Sequence, residues 1–173
     1  EVTGVQTCAL PIWSLWTVYR DFLYQGQKPP EGTQRLNEIA EHGIPDFELN
    51  DLKGHKIRLS DFKDKIVIVN FWASWCDPCV EEFPSLMGLI EKFNGQIKLL
   101  AISADHSEED MKNFLKAFKA NSPNLIVMWD KEQAVAKKFG TEVLPESYIL
   151  SYNNQFIRKV AGIDDWSSPF VKE

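Results

Sequence analysis

The chain has 173 residues, 44% hydrophobic and 25% charged, enough for one domain whose core needs no disulfide framework. Its net charge of -6 and pI near 5.2 argue against nucleic acid or an anionic membrane surface as the main partner. Three cysteines are too few for a disulfide scaffold, and their number leaves the redox compartment open.

Residues Val2–Ile12, "VTGVQTCALPI", can be encoded by a nucleotide string that resembles a common sequencing-library adapter. Residues 1–12, Cys8 among them, are therefore expected to be a translated artefact and stand apart from the fold. "WSLWTVYRDFLY" (13–24) is apolar and aromatic, yet shorter than the ~20 residues of a membrane span. Trp and Tyr favour the membrane interface. With the Pro/Gly spacer "QGQKPPEG" behind it, the segment 13–32 reads as the remnant of a membrane anchor and its linker. The rival reading is an amphipathic helix packed on the domain.

The folded domain is expected over 33–173, with its C-terminus truncated in what reads as a last helix. Thr33–His42 has a short helical pattern, and 44–62 alternates like a β-hairpin turned at Leu52–Lys53–Gly54. The β-branched run "KIVIVNFW" (65–72) predicts a strand buried on both faces. A helix interrupted by Pro84 follows over Asp77–Phe93. "IKLLAIS" (97–103) and "NLIVMW" (124–129) predict two more buried strands. Between them lies a helix over Ser107–Lys119, for which Asp105 to Asp110 reads as a solvated acidic start. A short helix over Lys131–Phe139 is closed by Gly140, and "SYILS" with "QFIRKVAG" forms a last antiparallel pair turned at Asn153–Asn154. Strands alternating with helices imply an α/β fold: a mixed central sheet flanked by helices, with an added N-terminal β-hairpin.

Cys76 and Cys79, in "FWASWCDPCVEEFPSL" (71–86), sit where a strand ends and a helix begins. A thiol attacks disulfides only as thiolate, and a helix N-terminus offers unpaired N–H groups and a positive dipole end. Cys79 lies one turn on, within reach of a ring disulfide. Pro78 is tolerated because the first turn does not need its N–H. A zinc site fails on count: only Cys8 remains, and His42, His55 and His106 have no paired spacing. Two inert thiols would not need this junction.

With "FWASWCDPC", the following "EEFP" and "FGTEVLPESYIL", the chain from Ile44 to Gly162 resembles the thioredoxin superfamily, in its TlpA/ResA-like branch. The resemblance implies a thioredoxin-like three-layer fold and a thiol–disulfide oxidoreductase that needs no cofactor or metal. It implies that Cys76 attacks and Cys79 resolves, and that Pro145 is a cis-proline facing the pair. Leu144 would present backbone groups to a substrate strand, and Trp75 would form part of the substrate rim. Glu82 matches the acid this branch places behind the two cysteines, where a carboxyl can accept or return the Cys79 proton. Ordinary thioredoxins carry a buried aspartate where this chain has Asn70, an amide that cannot titrate.

The resemblance further implies an extracytoplasmic, membrane-tethered reductase of protein disulfides, resupplied by a membrane thiol carrier. Its substrates would be apocytochrome c or copper-site thiols. Asp77, beside Cys76, opposes thiolate stabilisation and so favours a reducing pair. Two alternatives remain. A thiol peroxidase resembles a pattern with threonine three residues before the reactive cysteine, where this chain has Ala73. A non-catalytic copper or thiol-binding module would need ligands that the histidines do not supply.

Overall fold

A computed structural model describes residues 30–93 and 95–167, together with Trp16, Val18, Tyr19 and Phe22. The expectations for residues 1–12, for most of 13–32 and for a last helix lie outside the described residues. Among the described residues no helix is long and apolar enough to cross a membrane.

Among the described residues from 30 on, seven strands and four α-helices follow in chain order. Helix α1 (Glu31–His42) leads into the hairpin β1 (Glu48–Asn50) and β2 (Lys56–Arg58), then β3 (Ile66–Trp72), α2 (Asp77–Lys92) and β4 (Ile97–Ser103). Helix α3 (Glu108–Ala117), β5 (Leu125–Trp129), α4 (Ala134–Phe139), β6 (Glu146–Leu150) and β7 (Phe156–Ala161) complete the order. The sheet runs β5-β4-β3-β6-β7. Strands β3, β4 and β5 are parallel, and β6 and β7 are added antiparallel. The expected mixed sheet and separate hairpin are both present.

Alternation along β3 places side chains on both faces of the sheet. Val67, Val69 and Phe71 pack with Tyr148 and Leu100 against Ile39 of α1 and Phe139 of α4. Ile68 and Trp72 face α2 and α3, where Trp72, Phe83 and Phe114 form an aromatic cluster with ring centroids 4.7–6.0 Å apart. The same alternation turns Asn70 toward α2, a fact the site depends on.

Three expectations need correction. Helix α2 runs unbroken through Pro84, which is exposed. Helix α4 begins at Ala134, three residues later than its sequence suggests. The buried Asp130 carboxylate accepts the amides of Ala134, Val135 and Ala136, so a side chain upstream of the helix sets its start. Asp105 is not part of a solvated helix start. It is 1% exposed, and Ser107 caps α3 instead by accepting the Asp110 amide.

Candidate active site

Strand β3 ends at Trp72, and four residues later Cys76 is the N-cap of α2, with extended backbone and its sulfur accepting the Cys79 amide at 3.3 Å. Pro78 occupies the first helical turn, where it leaves no bond unmade. One turn separates the two sulfurs, and they are joined in a disulfide.

The two cysteines face different surroundings. Cys76 lines a cleft of about 510 Å³ with Trp75, Asp77, Pro78, Val143 and Leu144, and Cys79 does not. The cleft is walled below by Phe71 and Ile102 from the sheet and by Ala136 of α4. The Leu144–Pro145 peptide is cis, the isomer the resemblance implies. Leu144 reaches the cleft, whereas Pro145 is buried and forms no part of its lining. Of the two tryptophans that bracket the segment, Trp72 is core and Trp75 is 56% exposed.

Behind Cys79, helical periodicity buries Glu82 while its neighbour Glu81 faces solvent. The Glu82 carboxyl accepts the Asp164 amide at 3.1 Å and meets the Asn70 side-chain amide at 3.4 Å. Asn70 also donates to Ser147, its register partner on β6, at 2.9 Å. Loss of hydration pushes the Glu82 carboxyl up to about 7, and the Asp164 amide only partly offsets it. Asn70, which cannot titrate, therefore orients a glutamate that can. A groove lined by Glu81, Ser85 and Ile163 to Asp165 also reaches Glu82.

The cysteine pair was legible from its motif, but the burial of Glu82 by Asp164 and Trp166 was not. Those residues arrive from beyond β7, more than eighty positions along the chain, and no local pattern announces them. Among the described residues no cluster of three or more His, Cys, Asp or Glu side chains is placed to hold a metal.

A family described as AhpC/TSA matches residues 40–160. The chain is 34% identical over 141 residues to the thiol-disulfide oxidoreductase ResA of Bacillus thuringiensis subsp. konkukian, covering 81% of this chain and 78% of that protein. Among solved structures, a Chlorobium tepidum protein assigned provisionally as the thiol:disulfide interchange protein DsbE superposes with a TM-score of 0.66. It is 25% identical and covers 75% of this chain and 89% of its own. The exposed lipoprotein thioredoxin of Streptococcus pneumoniae gives a TM-score of 0.62 at 26% identity, over 74% of this chain and 97% of its own.

Proposed function

The chain belongs to the AhpC/TSA family, and on that premise we propose that it is a thiol–disulfide oxidoreductase that reduces disulfides in other proteins. The observation that carries this reading is the asymmetry of the pair: both sulfurs belong to buried residues, yet Cys76, the N-cap of α2, lines the cleft and Cys79 does not.

In the reduced chain the Cys76 thiolate attacks one sulfur of a substrate disulfide, forming a mixed disulfide and releasing one substrate thiolate. Cys79 then attacks the Cys76 sulfur, and the second substrate thiolate leaves. Two electrons have passed to the substrate, and the chain is left with the Cys76–Cys79 disulfide that the structure holds. Glu82 takes the proton that Cys79 must lose, and a thiol donor returns the pair of electrons. Trp75 and Leu144 line the cleft that receives the substrate segment, with Pro145 fixing the backbone beside it. A peroxidase reading wants a threonine three residues before the reactive sulfur, and this chain has Ala73 there.

Likeness to ResA, to a DsbE-type protein and to an exposed lipoprotein supports a place outside the cytoplasm, with 13–32 as tether and 33–173 as the catalytic domain. Apocytochrome c and copper-site thiols are the substrates this reading puts first, and a membrane thiol carrier is the donor.

The direction of electron flow is tested by the reduction potential of the pair. The Cys76 sulfur receives one backbone N–H, while the adjacent, exposed Asp77 adds negative charge, so the thiolate is only weakly favoured. Equilibration with a glutathione or dithiothreitol buffer is expected to place the pair nearer about -270 mV than about -120 mV. A value above about -180 mV would identify an oxidant and defeat the reductase reading.

A further inference from the structure

Asp105 is a buried carboxylate that the exchange chemistry does not use. Strands β3 and β4 leave the sheet side by side, with Trp72 paired to Ser103 and the Ala104 amide donating to the Trp72 carbonyl at 2.8 Å. Just beyond, one Asp105 oxygen accepts both the amide and the hydroxyl of Ser74, at 2.9 and 2.6 Å. Its other oxygen accepts the Ser103 hydroxyl at 2.7 Å, and its backbone carbonyl accepts the Trp129 indole N–H at 2.8 Å.

Ser74 lies inside the turn that the Cys76 amide closes on the Ala73 carbonyl at 3.2 Å. Asp105 therefore grips that turn from outside. The next residue, His106, stacks its ring on Trp75, with centroids 5.9 Å apart and planes 10° from parallel. His106 touches Trp75 without lining the cleft, whereas Trp75 does line it. The indole thus meets the His106 ring and also lines the cleft.

We propose that Asp105 is a positioning residue for protein substrates: through Ser74, and with His106 behind, it holds Trp75 as a fixed aromatic wall at the mouth of the cleft. This rests on the oxidoreductase reading and adds to it a determinant of substrate capture. A rigid aromatic platform binds a peptide segment with little loss of side-chain freedom, whereas a loose one must be ordered at each encounter. A small disulfide makes little use of such a wall, because it reaches the Cys76 sulfur without lying along the rim.

The test compares the full chain with Asp105→Ala, Asp105→Asn, Ser74→Ala, Trp75→Ala and the Asp105→Ala/Trp75→Ala double variant. The substrates are insulin and 5,5′-dithiobis(2-nitrobenzoate), with dithiothreitol as donor. Asp105→Ala should lower kcat/KM for insulin on the order of ten-fold, mainly through KM, the scale of lost hydrogen bonds to a charged group. That loss should be at least about five-fold larger than the loss on the small disulfide. Asp105→Asn, whose amide can still accept from Ser74 and donate to Ser103, should recover most of it. The double variant should be no worse than Trp75→Ala alone, because the two act through one wall. Equal losses on both substrates, or effects that multiply, would overturn the proposal. Should Asp105→Ala fail to fold, Ser74→Ala deletes the 2.6 Å bond alone and carries the same comparison. Wild-type inactivity on both disulfides would overturn the oxidoreductase reading itself.

Discussion

Cys76→Ser is expected to abolish reduction of protein disulfides, by at least about 10³-fold, the scale on which removal of an attacking group acts. Cys79→Ser is expected to stop turnover as well, but at a different point. Cys76 lines the cleft and Cys79 does not, so the Cys79→Ser chain still attacks its substrate and then cannot resolve the product. It should accumulate a mixed disulfide at Cys76, visible as a mass adduct that reductant removes. Cys76→Ser leaves the sulfur of Cys79 behind a hydroxyl and outside the lining of the cleft, and should trap little. Non-reducing gels or intact-mass spectra of both variants, incubated with an oxidised protein, separate these outcomes. Equal trapping by the two would reverse or void the assignment of roles.

Glu82→Gln is expected to change the pH dependence of stability. Glu82 binds its proton more tightly in the folded chain, where burial lifts it to about 7 from an ordinary 4.5. Its contribution is intact below pH 4.5 and is lost as pH rises through about 7. Across that window the wild type should lose up to about 3 kcal/mol relative to a chain that cannot ionise there. In the disulfide form the two cysteines do not titrate, so denaturant unfolding of the oxidised protein isolates this effect. Between pH 5 and pH 8 the stability of wild type should fall more steeply than that of Glu82→Gln, with Glu81→Gln following the wild type. Parallel curves for wild type and Glu82→Gln would mean that the carboxyl is hydrated and has no special proton affinity.

What the sequence revealed and what it concealed divide by the range of the interactions concerned. Strands β3 and β4 were legible because strands buried on both faces need unbroken apolar, β-branched runs, and Ile66–Trp72 and Ile97–Ser103 are such runs. The start of α2 was legible because its cap and its Pro78 are local. The start of α4 was not, since Asp130 satisfies its amides from four to six residues away and no capping pattern marks that bond. Asp105 stands before a run of acids and serines that resembles a hydrated helix start. Its burial follows from Ser74, thirty-one positions earlier, which only the pairing of β3 with β4 brings near. Helical spacing puts Glu82, not Glu81, on the face of Cys79, but the loop at Asp164 that covers Glu82 has no local signal.

The proposed roles, with Cys76 as nucleophile and Cys79 and Glu82 behind it as resolving thiol and proton acceptor, are tested by site-resolved alkylation of the reduced chain across pH 5–10, for wild type, Glu82→Gln and Glu81→Gln. Cys76 is expected to react ahead of Cys79 at every pH, because Cys76 alone of the two lines the cleft. Glu82→Gln should shift the onset of Cys79 reactivity to lower pH, since a nearby negative charge is removed, while Glu81→Gln should match the wild type. Faster modification of Cys79, or identical profiles for the two glutamine variants, would contradict these roles.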